Sequence, residues 1–121
     1  MKRAESIIEG GNIHECWICN EEFSATNARG LHLHHIFFGK NRSLSDKYGC
    51  WCYLCYDHHE GTFGIHGKFG HDRDMTLKRV AQRAWEQKYG SREEFRAIFG
   101  KSYLDDDLGA EIGSEEGQDG C

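Results

Sequence analysis

The sequence predicts a small α+β protein in which a two-strand hairpin and a short helix are followed by two C-terminal helices and an acidic tail. Three observations carry this prediction. Cysteine and histidine pairs lie in the first half of the chain, apolar residues recur at helical spacing in the second half, and the last 17 residues carry acids but no lysine or arginine. With 121 residues and no proline, we expect one domain with a modest core.

Two short apolar segments predict the strands of the hairpin. In residues 31–38, Leu31 and Leu33 alternate with His32 and His34, which is the period of a strand. Residues 48–54 are short and rich in aromatic side chains, so we expect the second strand there. The polar and basic residues 39–43 separate the two segments. The hairpin is therefore expected to have a long loop.

The second half of the chain predicts helices. A short helix is expected to open at residues 56–60, where Asp57 favours the positive end of the helix dipole. Four glycines then interrupt regular structure over residues 61–70. Apolar residues at three- and four-residue spacing predict a helix from residue 74 to 89, and Ser91 with Glu94 has the spacing of a capping box for the next helix. We expect Trp85 and Phe95, with Phe99, to cover the hairpin.

The charge is divided unevenly along the chain. Net charge is -5, but residues 105–121 hold seven of the 20 acids, which leaves 13 acids against 15 bases in residues 1–104. The tail has almost no apolar content, so we expect it to be disordered, either as a solubilising extension or as a segment that competes with DNA for the basic surface. We therefore expect a domain over residues 1–104, with its motif core at 13–66 and its late helices at about 74–100.

The apolar content of the chain indicates the compartment, and the compartment indicates the state of the cysteines. No apolar run of the length of a membrane span or signal peptide is found in the chain, so we expect an intracellular protein without membrane association. In a reducing compartment its six cysteines are expected to bind metal rather than to form disulfides.

The order of the metal-ligating residues is the most specific signal. Cys16-x-x-Cys19 comes first, then His34-His35-Ile36, then Leu54-Cys55-x-x-His58-His59. Two ligand pairs bracket a histidine pair, so the fold can carry a structural metal and a second site beside it. For the structural zinc, Cys16 and Cys19 are expected to join either Cys55 and His58 or Cys52 and Cys55; we favour the first set because residues 48–54 have the character of a strand.

These motifs resemble those of the HNH, or His-Me finger, endonucleases, in particular the zinc-stabilised members found in phages and mobile elements. The resemblance implies a ββα-metal fold in which His35 is the general base and His34 and His59 bind one catalytic divalent ion, Mg²⁺, Mn²⁺ or Zn²⁺, in addition to the structural Zn²⁺. Imidazole suits the role of base because it can accept a proton near neutral pH. The implied reaction is hydrolysis of phosphodiester bonds in DNA, in the bacterial cytoplasm if the chain derives from a phage.

The sequence departs from the family pattern at two positions. Cys50 stands where the family usually has a strand asparagine that orients the base. Phe63 stands where some members have a third metal ligand, so we expect His66 to replace it, with His71 the weaker candidate. On an unbroken helix His66 would lie ~10.5 Å beyond His59, so a chain break at the intervening glycines is required. His14 and His32 are expected to be structural.

Three functions remain open from the sequence. The first is a metal-dependent DNA endonuclease or nickase. The second is a non-catalytic zinc-binding module that binds DNA or a protein partner, which the missing asparagine favours. The third is a small recombination or replication accessory factor that docks a partner through its acidic tail.

His34 and His35 should lie on opposite faces of a regular strand, so a single site that uses both requires a local distortion or an intervening water.

Overall fold

The computed structural model of the protein describes residues 3–8, 15–24 and 26–104. His14 and the acidic tail of residues 105–121 lie outside the described residues. The described chain is a mixed α+β fold with one antiparallel hairpin and several helices. None of these helices combines the length and apolar character that crossing a membrane requires.

The elements follow one another in a simple order. They are α1 (Trp17–Phe23), β1 (His32–His35), one turn of 3-10 helix (Gly39–Asn41), α2 (Arg42–Tyr48), β2 (Trp51–Leu54), α3 (Tyr56–His59), α4 (His71–Lys88) and α5 (Arg92–Phe99). Strands β1 and β2 pair so that His34 lies opposite Cys52 and His35 opposite Trp51.

Strand β1 is shorter than predicted. The chain leaves the ladder at Phe37, whose N–H donates to the Ser45 hydroxyl at 3.0 Å and whose carbonyl accepts from that hydroxyl at 2.7 Å. A side chain thus takes the place of a partner strand. The predicted strand over residues 31–38 therefore contracts to His32–His35.

Helix α2 lies in the hairpin loop and was not predicted. The expected second strand, over residues 48–54, begins too early because Tyr48 is the last residue of this helix. The helix ends at Gly49 with φ 77°, where a Cβ would collide with the backbone carbonyl of Glu5. Ile7 donates its N–H to the Gly49 carbonyl at 2.9 Å. The N-terminal segment therefore fixes the end of α2 through a contact distant in sequence.

Helix α1 begins at the first cysteine pair, with Cys16 as its N-cap residue. The chain continues from Cys16 into a helix that ends at Ser24, with a left-handed φ of 51°. The Sγ of Cys16 caps this helix by accepting the N–H of Cys19 at 3.4 Å. Ile18 is buried in the core. A metal donor therefore begins a helix whose other face packs inward.

Helices α4 and α5 pack through an aromatic cluster against Phe37 and Tyr48, which lie beside the two strands. The predicted capping box of α5 is confirmed by the reciprocal hydrogen bonds of Ser91 and Glu94. Trp85, Phe95 and Phe99 are fully buried, as predicted. Phe37, just after β1, packs with its ring centroid 4.9 Å from that of Phe99. This packing holds the strand that carries the histidine pair.

Candidate metal centres

Helix α3 lies between two groups of metal-ligating side chains. The first group, the thiolate cluster, comprises Cys16, Cys19, Cys55 and His58. The second, the histidine triad, comprises His34, His59 and His66. In each group the donor atoms lie within 4.8 Å of one another. Because consecutive residues of a helix point about 100° apart, one turn delivers His58 to one group and His59 to the other.

The thiolate cluster has the dimensions of a tetrahedral zinc site. Nδ1 of His58 lies 3.5 Å from Sγ of Cys16 and 3.4 Å from Sγ of Cys19 and of Cys55. The sulfur atoms of Cys19 and Cys55 are 3.9 Å apart. Zinc bonds of about 2.3 Å to sulfur and 2.0 Å to nitrogen place tetrahedral S···N and S···S pairs roughly 3.5 and 3.8 Å apart. The cluster can therefore hold a metal ion such as zinc.

Protons compete with a cation for the thiolate cluster. Burial, together with the neighbouring Cys16 thiol, raises the pKa of Cys19 to about 12. Burial likewise lowers the pKa of His58, and the Arg73 charge adds to this effect. Alone, these groups are neutral donors at pH 7. A coordinating thiol is deprotonated by its metal, so zinc binding here releases protons.

The geometry favours one of the two expected zinc sets. Cys55 and His58 converge on the first cysteine pair, whereas Cys52 lies in β2 opposite His34. Cys50 and Cys52 are both completely buried. Burial raises the pKa of Cys50 to about 12. These two residues pack as small apolar groups of the core.

The histidine triad lies on the other side of α3. The three ring centroids are 4.9 to 5.2 Å apart. His34 is buried, His59 partly buried and His66 exposed, so the triad is open to solvent on one side. Nε2 of His34 is buried and, within the described residues, has no hydrogen-bond partner. Such an atom is costly unless something satisfies it, and a metal ion shared with His59 and His66 would do so.

A glycine-rich segment returns His66 to the end of α3. The N–H of His66 donates to the His59 carbonyl at 2.9 Å, and the N–H of Ile65 donates to the His58 carbonyl at 2.8 Å. At Gly61 and Gly64 a Cβ would collide with the backbone of α3. The structure therefore contains the chain break that His66 requires in order to reach His59.

His34 and His59 are in their metal-binding protonation state near neutral pH. Burial lowers the pKa of His34 to about 2, and the charges of His59, His66 and Lys78 act in the same direction. Burial also lowers the pKa of His59, and the charge of His66 lowers it further. Neutral imidazole is the form that binds metals.

His35 lies on the opposite face of β1 from His34, as the alternation of a strand requires. Its Nε2 is 2.9 Å from Oδ1 of Asp46 in α2, and Arg3 donates to the same oxygen at 2.9 Å. Partial burial acts to raise the pKa of Asp46, but the hydrogen bonds from Arg3 and His35 outweigh it and lower this pKa overall. The carboxylate thus accepts Nε2–H of His35 and leaves Nδ1 as the basic ring atom.

Sequence reasoning missed two residues beside these groups. His32, expected to be structural, places Nδ1 2.9 Å from Nδ1 of His59. The alternation of side chains along a strand could have indicated this, because it places His32 on the same face as His34. Nothing in the sequence indicated Asp46, because its position depends on α2, which was not predicted. His71, the weaker alternative to His66, begins α4 and belongs to none of the metal-ligating groups of the described residues.

The chain matches no family model, no curated protein and no solved structure. The resemblance to HNH endonucleases therefore rests on the cysteine and histidine motifs alone. Function has to be inferred from the thiolate cluster, the histidine triad and their surroundings.

Proposed function

We propose that the protein is a metal-dependent DNA endonuclease or nickase of the HNH type, built on a zinc-stabilised ββα-metal unit. The histidine triad carries the proposal, because three imidazoles converge beside a complete four-donor cluster. Among the described residues, the buried Nε2 of His34 lacks a hydrogen-bond partner. Structural zinc sites use four protein ligands, whereas catalytic sites use three and leave a position for water or substrate.

The two donor sets suggest different roles. The thiolate cluster would hold structural zinc and join α1 to α3. The triad would hold a divalent ion that acts as a Lewis acid towards the scissile phosphate. Of Mg²⁺, Mn²⁺ and Zn²⁺, three imidazoles favour Zn²⁺, because Mg²⁺ and Mn²⁺ prefer oxygen ligands.

His35 is the proposed general base. With Nε2–H directed to Asp46, its Nδ1 can take a proton from water as the water oxygen attacks phosphorus. The bond from phosphorus to the leaving oxygen breaks, that oxygen takes a proton from solvent, and His35 returns its proton to solvent. Asp46 would supply the orienting contact of the family's asparagine, whose position Cys50 occupies. The phosphate would lie across the edge of β1 to reach both faces.

Exposed aromatic and basic side chains next to His66 or on the segment that carries it support DNA as the substrate. Phe38 is 41% exposed and packs against His66, with ring centroids 5.2 Å apart. Phe63 and Phe69 form an exposed stacked pair on the segment that carries His66, and Lys68 lies over the Phe69 ring. Aromatic faces stack on bases and basic groups contact phosphates.

A plasmid-nicking assay tests the proposal. Zinc-loaded protein is incubated with supercoiled DNA and Mg²⁺, Mn²⁺, Ni²⁺ or further Zn²⁺, and nicked or linear product is expected with at least one of them. His35→Ala should lower the rate by about 100-fold or more while circular dichroism and zinc content stay unchanged. His71→Ala, the control, should cleave as the wild type does. Supercoiled DNA left intact by the wild type with every ion would overturn the proposal.

The position of His35 favours a second candidate function, a non-catalytic zinc-binding module. Its side chain lies on the face of β1 away from the triad, and Cys50 replaces the family's asparagine. Such a module would retard a DNA fragment or a protein partner without cleaving DNA. In that case His35→Ala would leave binding unchanged.

A further inference from the structure

We propose that His32 and Glu60 position the metal-binding imidazole of His59, and that His32 is its main hydrogen-bond acceptor. Neither residue belongs to the histidine triad. The inference rests on one part of the proposed function, the binding of an ion by the triad, and is independent of DNA cleavage.

His59 has two polar neighbours that do not belong to the triad. Its Nδ1 lies 2.9 Å from Nδ1 of His32 and 3.4 Å from Oε2 of Glu60. The rings of His32 and His59 meet edge to face, with centroids 5.0 Å apart and planes at 82°. Because Nδ1 is engaged with these groups, Nε2 is the ring atom left for an ion shared with His34 and His66.

Metal binding would fix the tautomer of His59. An imidazole bonded to an ion through Nε2 carries its proton on Nδ1 and donates it to a neighbouring acceptor. The contact to His32 has the length of a good hydrogen bond, whereas that to Glu60 is at the outer limit. His32 therefore accepts through Nδ1, and the Glu60 carboxylate adds a negative charge that strengthens His59 as a ligand.

The hairpin holds His32 in the position this role requires. His32 opens β1 and pairs with Leu54 of β2, which is fully buried. Tyr56, the first residue of α3, packs edge to face on the His32 ring at 6.2 Å. His34 lies two residues further along the same face of β1. One strand face thus supplies both a triad ligand and the group that positions another.

A separate metal ion could be considered for His32, His59 and Glu60, because their donor atoms lie within 4.8 Å of one another. The distance between the two imidazole nitrogens favours the hydrogen bond instead. Two nitrogens bound to one tetrahedral zinc at about 2.0–2.1 Å would lie roughly 3.3 Å apart. The 2.9 Å separation is shorter than this and matches a direct N–H···N contact.

Cobalt titration tests the inference on protein loaded with one zinc ion per chain, so that the triad, which also favours Zn²⁺, is left open. Once zinc fills the thiolate cluster, the visible bands of added Co²⁺ report imidazole binding, and sulfur charge-transfer bands would reveal exchange into the cluster. His32→Ala is expected to weaken Co²⁺ binding by about 10-fold or more. His32→Asn, whose side-chain oxygen restores an acceptor near the Nδ1 position, should recover most of the affinity. Glu60→Gln should have a smaller effect than His32→Ala.

Two control variants lie outside these groups, His71→Ala and Glu93→Gln, and both should bind Co²⁺ as the wild type does. Thermal unfolding and zinc content establish that each variant is folded. Unchanged affinity in His32→Ala would overturn the positioning role. So would two cobalt ions in the wild type and one in His32→Ala, since His32 would then be a ligand.

The nuclease proposal and this inference can fail separately. If the wild type with one zinc ion per chain takes up no Co²⁺, the triad ion and the positioning role are both wrong. If Co²⁺ binds in a His32-dependent way but no metal supports DNA cleavage, the positioning role stands and the nuclease proposal is wrong.

Discussion

The thiolate cluster and the histidine triad share helix α3 but differ in donors, burial and completeness. Three of the four donors of the cluster are sulfur atoms, and Cys16 and Cys55 are buried. The triad has three nitrogen donors and runs from buried His34 to exposed His66. Four protein donors complete a tetrahedral site, whereas three leave a position for water or substrate. This contrast is what the proposed roles require, a structural zinc in the cluster and a reactive ion in the triad.

The largest expected effect is the loss of a thiolate donor. Cys55→Ala should release the zinc and unfold much of the chain, because zinc contributes about 10–16 kcal/mol in small zinc-folded peptides, as much as a whole domain's stability. Zinc content and far-ultraviolet circular dichroism measure this. Cys50→Ala is the matched control, since it removes a buried thiol outside the cluster and should cost about 1 kcal/mol. Equal stability of the two variants would show that the cluster does not hold the fold.

Loss of a triad donor should leave the fold intact and remove only an ion. His66→Ala changes an exposed ligand, so little packing is lost. Bound metal is expected to fall from two ions per chain to one, and any nicking rate by about 100-fold or more, because the Lewis acid is lost. Elemental analysis and the plasmid assay measure the two effects, with His71→Ala as the control. A wild type that binds one ion, retained in His66→Ala, would remove the distinction between the sites.

The two regions also differ in how far the sequence could predict them. Each half of the thiolate cluster is local, since Cys16 with Cys19, and Cys55 with His58, lie three residues apart and can meet on one helical turn. The capping box of α5 is equally local. In such short spacings the positions of the residues in the sequence determine their distance in space. The donor pairs and the capping box could therefore be predicted from the sequence.

The surroundings of the triad depend on segments distant in sequence. Helix α2 has a polar sequence without apolar periodicity, and it ends against the backbone of Glu5. Asp46 reaches His35 only because that helix forms. The contact of His32 with His59 requires both the hairpin register and the placement of α3. No local pattern encodes these contacts, so sequence reasoning assigned His32 a structural role and missed Asp46.

Alkaline pH should distinguish a core thiol from the zinc-bound ones. Burial raises the pKa of Cys50 to about 12, above the ordinary value of about 8.5. Its contribution to stability is therefore complete below pH 8.5 and is lost as the pH rises towards 12, because the unfolded chain releases a proton that the folded chain keeps. The loss is about 1.4 kcal/mol for each pH unit.

Denaturant unfolding from pH 7.5 to 10 measures this loss. The stability of the wild type should fall more steeply with pH than that of Cys50→Ala, while zinc content stays constant because the cluster thiols are already deprotonated by the ion. Parallel stability profiles would mean that Cys50 titrates normally in the fold.

The smallest effect is expected where the two regions are tied together. Arg73 in α4 binds both carboxylate oxygens of Glu22 in α1, at 2.6 and 3.0 Å, and donates to the Phe63 carbonyl on the segment that carries His66. Lysine has no planar fork and cannot make all of these contacts. Because the pair is partly exposed, Arg73→Lys should cost about 0.5–1 kcal/mol, less at high salt, with Arg29→Lys as an exposed control. Thermal unfolding with zinc and cobalt affinities measures both regions at once. If Arg73→Lys weakens cobalt binding but leaves stability unchanged, Arg73 serves the triad alone and the two regions are not tied through it.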